Sequence, residues 1–230
     1  MNQRSILYAL PLAFAAFVAC ADDASVTVEV GNGIPTGPLE HPSIDAPRAS
    51  AAPRRLSVDQ WRASFPVIFG SDSKGRPITW NLDGNKPALE GSIAASLGEP
   101  DYIVNTDEAL EPSLLYVKFA DDAARSLCTQ VLDADDVRTD PNTRVLLRFA
   151  SKEDSVASNA AAIDANLRYL KLRFHGIYVP KEDTAATEPL RNLFAAAALA
   201  STAPEPIQKT RDAWKVVCVA LVTAPEFHVY

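Results

Sequence analysis

Several features that mark common functional classes are scarce in this 230-residue chain. Aromatic residues make up only 8% of the chain, so the sequence does not indicate a surface on which bases or sugars would stack. With only 9 glycines, it also does not indicate a glycine-rich phosphate-binding loop. Its net charge of -7 argues against nucleic acid, which attracts clustered Lys and Arg. Because the only methionine is Met1 and no C-x-x-C-H run occurs, covalent haem is excluded. We expect no cofactor.

Long hydrophobic runs are also missing, apart from one near the start of the chain. The run from Ile6 to Val18 follows Arg4 and is shorter than the roughly 20 residues that a membrane helix needs. Small residues follow it, as in a bacterial secretory signal. We therefore expect a signal peptide at residues 1–19 and an exported protein.

Cys20 stands where a lipoprotein signal peptidase would leave it as the new N-terminus. This position favours lipidation, although Phe17 replaces the Leu that usually opens such a cleavage box. Ala21 is not the Asp that retains lipoproteins in the inner membrane, so we expect a lipid anchor in the outer membrane. The alternative is a secreted or soluble periplasmic protein, because Ala19-Cys20-Ala21 also satisfies the A-x-A rule for ordinary cleavage.

Two cysteines remain beyond Cys20, and both fall on apolar stripes of predicted helices. In an oxidising compartment Cys128 and Cys218 can form a disulfide between two packed helices. Two buried unpaired thiols are the alternative, since cysteine is among the most buried residue types. We predict the bridge.

The chain divides into a tether and a helical domain. Residues 20–53 are rich in Pro, Gly and small polar residues without hydrophobic periodicity, which is typical of a disordered linker. The domain is expected over residues 54–230, beginning with a capping box at Ser57 and Gln60. Pro66 is expected to end that first helix, and residues 76–84 to form a minor hairpin that includes an Asp83-Gly84 turn.

Beyond the hairpin the apolar residues recur with helical periodicity. Four amphipathic segments with short links predict an all-α, bundle-like fold. Their stripes lie within residues 112–132, 163–174, 190–197 and 214–221.

Metal and nucleophile motifs are incomplete in this chain. The three histidines, His41, His175 and His228, have no paired spacing, so no metal site is predicted. The acidic run 133–140 lacks the Gly and Glu of a calcium loop, and we interpret it as a solvated acidic loop. The S-x-x-K match at residues 71–74 lacks its supporting motifs and is interpreted as chance.

One basic segment is the candidate binding surface. Arg168 and Lys171 share a predicted helical face, with Arg173 and His175 close by. A solvated face that pairs with acidic helices is one interpretation, and a docking patch for an acidic protein partner is the other. His175 precedes Gly176, where the C-terminal end of a helix favours a cation.

Three segments near the C-terminus, residues 167–176, 190–198 and 213–222, are followed by the ending Ala224-Pro225-Glu226-Phe227 with Tyr230, and the domain starts with Arg54-Arg55-Leu56-Ser57. These segments resemble a helical domain family of unknown function that closes large planctomycete-type, cytochrome-associated bacterial surface proteins. The resemblance implies a helical fold, and it carries no catalytic residues over to this chain. The haem-binding portion of those proteins has no counterpart here.

Two functions follow as hypotheses. The first is a non-catalytic lipoprotein that acts as a scaffold or accessory subunit for another envelope protein. The second is an envelope enzyme that uses His175 as a base beside Asp121 or Asp122.

Overall fold

The computed structural model of the protein describes residues 54–82, 86–103 and 106–229. The predicted signal peptide, Cys20, the tether and the Asp83-Gly84 turn lie outside these residues. The described chain forms α-helices and one antiparallel two-stranded hairpin, which confirms the all-α class with a minor hairpin. The elements are α1 Val58–Phe69, β1 Asn81–Leu82, β2 Lys86–Pro87, α2 Gly91–Ser96, α3 Leu114–Val137, α4 Val156–His175, α5 Glu188–Ala200, α6 Pro206–Thr223 and α7 Pro225–His228.

Helix α6 is the central helix, because it packs against α3, α4, α5 and α7. Its inward stripe contains Trp214, Val217, Cys218 and Leu221, at the spacing that places residues on one helical face. All four side chains are buried. Among the described residues, no helix is both long enough and apolar enough to cross a membrane.

The predicted disulfide is present and joins α3 to α6. Cys128 and Cys218 have Cα atoms 5.9 Å apart, and neither residue is exposed to solvent. The bridge closes a segment of 90 residues that includes α4 and α5. It therefore links the two helices across the middle of the core.

Helix α1 begins as predicted but ends later. Ser57 accepts a hydrogen bond from the Gln60 amide, and the Gln60 side chain accepts one from the Ser57 amide. The expectation that Pro66 ends this helix is wrong, because α1 continues to Phe69 with Pro66 inside it. Phe69 is fully buried, and we attribute the extra turn to that packing, which outweighs the one backbone hydrogen bond that proline cannot donate.

The hairpin is displaced from its predicted position at residues 76–84. The strands pair Asn81 with Pro87 and Leu82 with Lys86. Ile78 and Trp80 instead lie outside the strands, and both are buried in the core. The apolar residues of this segment therefore serve the core and do not form a strand.

The interpretation of residues 133–140 as a solvated loop is wrong. Residues 133–137 are the last turn of α3, and Asp135 is only 1% exposed. Its carboxylate accepts hydrogen bonds from the backbone amides of Val145, Leu146 and Leu147 at 2.6–3.1 Å. Arg138 donates to the same carboxylate at 2.9 Å. Asp135 thereby holds the irregular segment after α3 against the helix end.

The beginning and the end of the described domain pair with each other. Arg55 forms an antiparallel bridge with Val229, and the Leu56 amide donates to the His228 carbonyl at 2.8 Å. The buried Arg55 guanidinium donates to the backbone carbonyls of Leu97 and Ala109. The start and the end of the helical domain are therefore joined in the fold.

Candidate functional site

The predicted docking residues lie on the second half of α4, where all four are half-buried. Three of them bond to backbone carbonyls of other segments. Lys171 donates to the Ala186 carbonyl at 3.1 Å, and Arg173 donates through Nε to the Ile68 carbonyl at 2.8 Å. Nε2 of His175 lies 2.8 Å from the Leu221 carbonyl. These three residues therefore fasten α4 to the rest of the domain.

Arg168 is different from the other three. Within the part of the chain that the structure describes, its guanidinium forms neither a hydrogen bond nor an ion pair. It lines a surface groove with a volume of about 370 Å³. The fold makes no use of this cation, so Arg168 is the member of the patch that is available to a partner.

The groove beside Arg168 is mainly aromatic and aliphatic. One wall is the outer face of α4, on which the lining residues are spaced at i, i+3, i+4 and i+7. The other walls come from the segments before and after that helix. The lining residues are Phe149, Ala165, Arg168, Tyr169, Leu172, Tyr178, Val179 and Lys181. We call this site the α4 groove.

Three apolar side chains of the α4 groove are unusually exposed. Phe149 is 53% exposed, Leu172 is 48% exposed and Tyr178 is 75% exposed. Folding alone does not require these large side chains at the surface, since they contribute little to the core. Contiguous exposed apolar residues with a polar rim are typical of interaction sites.

The aromatic wall of the groove is held in place by polar contacts. Asn166 is fully buried, and its side-chain oxygen accepts a hydrogen bond from the Phe149 amide at 3.0 Å. The Phe149 and Tyr169 rings meet edge to face with centroids 5.7 Å apart. Arg173 donates to the Tyr169 hydroxyl at 3.3 Å. The wall is therefore largely formed before anything binds.

The groove carries positive charge. Arg168 and Lys181 line it, and the Arg148 guanidinium lies over the Tyr169 ring, 5.5 Å from its centre. None of the described lining residues is acidic. The nearby Asp164 carboxylate is already paired with Arg191. The local field therefore favours an anionic partner although the whole chain is acidic.

The geometry does not favour His175 as a catalytic base. Because a carbonyl can only accept, Nε2 of His175 carries the hydrogen that it donates to Leu221, and Nδ1 is the nitrogen that a base role would need. The two candidate acids both form ion pairs within α3 instead: Asp121 with Arg125, and Asp122 with Lys118. The enzyme hypothesis stays a prediction that no contact of His175 supports.

A second cluster, which sequence reasoning missed, surrounds His228. The Tyr116 hydroxyl lies 3.1 Å from Nδ1 of this buried histidine. The Trp61 ring lies 4.9 Å from the Tyr116 ring and 5.5 Å from the imidazole, measured between centroids. In the sequence His228 is only an isolated histidine near the C-terminus, because no sequence pattern links positions 112 residues apart.

Burial controls the ionisation of this pair. It lowers the pKa of His228 from an ordinary value of 6.5 to about 4, and the Val222 carbonyl offsets this only in part. Within the described parts of the chain, no hydrogen bond of normal geometry reaches Nε2 of His228. Burial also raises the pKa of Tyr116 well above its ordinary value, against the opposing effects of Arg55, Trp61 and Leu56.

Both groups are therefore uncharged near neutral pH. They line an apolar groove of about 490 Å³ together with Val117, Pro225 and Val229. A neutral tyrosine–histidine pair beside apolar walls fits a structural role at the end of the core. Among the described residues, no group of three or more His, Cys, Asp or Glu side chains is arranged to hold a metal ion.

Searches of the protein-family models, the curated proteins and the solved structures found no match to this chain. The resemblance to the planctomycete-type helical domain stays a prediction.

Proposed function

We propose that the protein is an exported bacterial lipoprotein whose helical domain docks onto another envelope protein without performing catalysis. The single observation that carries this proposal is Arg168, an unpaired cation in a preformed aromatic groove. The neighbouring Lys171 and Arg173 are committed to backbone carbonyls of the same chain. The docking surface is thus narrower than the whole basic segment and centres on the α4 groove.

The composition of the groove supports protein docking. Tyrosine and arginine are enriched among the residues that contribute most to protein–protein binding. The groove places Tyr169, Tyr178 and Arg168 together on one surface. A catalytic site would instead need a base or a nucleophile beside an acid, and the described lining of the α4 groove contains no His, Cys, Asp or Glu.

The membrane anchor is the second part of the proposal. It rests on Cys20 at the end of the signal-like segment and on a proline-rich stretch of about 30 residues behind it. A linker of that length spans on the order of 30 Å, which is enough to hold a domain clear of lipid headgroups. In this arrangement the domain would meet partners near the outer membrane.

The anchor is tested with Cys20→Ala in the full-length chain, followed by membrane fractionation. We expect the variant to leave the membrane fraction, because the acylated thiol is the only anchor proposed. Unchanged membrane partitioning would overturn lipidation. Processing at an ordinary cleavage site in the wild-type chain, shown by mass spectrometry, would support the secreted alternative.

Docking is tested by cross-linking in intact envelopes, followed by capture of the protein and identification of what is bound to it. We expect a specific partner to be recovered with wild type and lost with Arg168→Glu. Lys215→Glu is the matched control, because this half-buried lysine on α6 makes no hydrogen bond or ion pair among the described residues and lies outside the groove. Equal recovery from both variants would contradict the proposal.

A further inference from the structure

We infer that the α4 groove binds an acidic peptide segment of its partner, anchored by a large apolar side chain between Phe149, Tyr169 and Tyr178. This inference rests on the proposed docking function and specifies the chemistry of the docked partner. It names a contiguous segment with carboxylates beside aromatic or aliphatic residues. Three features of the groove lead to it.

The first feature is the shape of the groove. Its volume of about 370 Å³ lies at the small end of the range of ligand pockets, roughly 300–1,000 Å³. Walls on α4 and on the loops before and after it enclose this space on more than one side. A groove of this size holds a side-chain anchor, whereas a broad flat interface has no need of one.

The second feature is the exposure of the anchor surface. Tyr178 is 75% exposed, and its hydroxyl makes no hydrogen bond within the described chain. Leu172 is 48% exposed on the same helical face as Arg168. An apolar side chain placed between them would remove both surfaces from water, which is the main source of favourable binding free energy.

The third feature is the charge of the rim. Arg148, Arg168 and Lys181 contribute positive charge from three different segments. The acids that follow Lys181 are Glu182 and Asp183, neither of which lines the groove, and Asp183 accepts a hydrogen bond from the Ala186 amide. Arginine can bind a carboxylate with two parallel hydrogen bonds. These three cations therefore favour a partner segment that has carboxylates on both sides of its apolar anchor.

An anionic lipid membrane also attracts cations, but it fits the α4 groove less well than an acidic peptide does. An anionic bilayer is an extended sheet of charge, so it is repelled by the acidic chain as a whole, whose net charge is -7. A peptide lies within the groove, where screening over about 8 Å limits the repulsion from distant carboxylates. The observations therefore favour a peptide over a membrane.

The test is fluorescence anisotropy with the full chain and a short labelled synthetic peptide that alternates acidic residues with Leu and Phe. Two counter-probes keep its length, one with lysines in place of the acids and one with serines in place of Leu and Phe. We expect only the first peptide to bind, and its affinity to fall as salt is raised. Arg168→Glu should weaken binding by roughly tenfold, because it places like charges opposite each other.

Tyr178→Ser should also weaken binding of this peptide, because it removes the exposed side of the anchor site without touching the core. Lys215→Glu changes the net charge by the same amount as Arg168→Glu and should leave binding unchanged. Equal binding of the acidic and lysine peptides, or equal affinity of the three variants and wild type, would overturn the inference. So would Arg168-dependent binding to phosphatidylcholine–phosphatidylglycerol vesicles without peptide binding.

The two proposals can fail separately. If the envelope partner is lost with Arg168→Glu but the acidic peptide does not bind, docking stands and the peptide chemistry is wrong. If the peptide binds through Arg168 and Tyr178 but envelopes yield no partner, the groove chemistry stands and the scaffold function is wrong.

Discussion

The Tyr116 hydroxyl contacts Nδ1 of His228 at 3.1 Å and joins the first turn of α3 to the last described turn of the chain. Burial raises the pKa of Tyr116 well above its ordinary value, so its hydroxyl keeps its hydrogen near neutral pH. The two uncharged groups share one hydrogen bond, whose donor is set by the tautomer of the imidazole. The domain thus closes around an uncharged histidine.

This buried histidine makes the folded state sensitive to acid. The folded protein binds a proton at His228 only near pH 4, whereas the unfolded chain binds it near pH 6.5. Between these values the unfolded state holds more protons, so the free energy of unfolding falls as the pH falls from 6.5 to 4, by about 3 kcal/mol in all. Urea unfolding at several pH values measures this loss.

The matched variant for this prediction is His228→Gln, which keeps a polar side chain of similar size and does not titrate. We expect it to be less stable than wild type at pH 7 and to lose less stability between pH 6.5 and pH 4. Parallel pH profiles for the two proteins would show that other groups are responsible for the acid sensitivity.

Asp135 is predicted to be essential for stability. Asp135→Asn places an amide donor where backbone N–H groups already point at the carboxylate, and it removes the charge beside Arg138. We expect a loss of about 3 kcal/mol in the free energy of unfolding. Asp133→Asn is the control, because this largely exposed carboxylate pairs only with Arg211 and should cost less than about 1 kcal/mol. Similar losses in both variants, measured in urea, would refute the assignment.

The disulfide is predicted to stabilise the domain without taking part in redox chemistry. Cys128 and Cys218 are fully buried, so native protein should resist reduction, and thiol labelling should find both sulfurs only after unfolding with reductant. By loop closure over 90 residues the bridge contributes about 4 kcal/mol, which unfolding of a Cys128→Ala/Cys218→Ala variant measures. Free thiols in unfolded, unreduced protein carrying Cys20→Ala would show that the bridge does not form.

We predict that Arg173 stabilises the fold and that Arg168 does not. Arg173→Ala removes donors to the Ile68 carbonyl and the Tyr169 hydroxyl and should lower the free energy of unfolding by about 1 kcal/mol. Arg168→Ala should leave stability within about 0.5 kcal/mol of wild type, because nothing described in the chain pairs with it. Comparable thermal shifts for the two variants would contradict this division.

Much of the architecture could be predicted from local sequence. Helical periodicity located α3, α4, α5 and α6, and the Ser57 capping box located the start of α1, because caps and amphipathic stripes depend on near neighbours in the chain. The same stripes placed Cys128 and Cys218 on inward faces. The ends of elements were less predictable, since the packing of Phe69 and Ile78 depends on distant partners.

The site was only partly predictable. The sequence marked the basic segment of α4, but it could not separate Arg168 from Lys171 and Arg173, because the carbonyls that hold the latter two lie in other segments. Phe149 and Tyr178 joined the same groove only when the loops flanking α4 folded back onto it.

Local sequence determined which segments of this protein are helical and which faces of those helices are apolar. Only the tertiary structure decided which polar groups are buried and which remain available. Asp135 lies in an acidic run that reads as solvated, yet the amides of Val145, Leu146 and Leu147 surround its carboxylate. Tyr116 and His228 meet across 112 residues of chain. Contacts of this kind depend on how distant segments pack, and no spacing in the sequence records them.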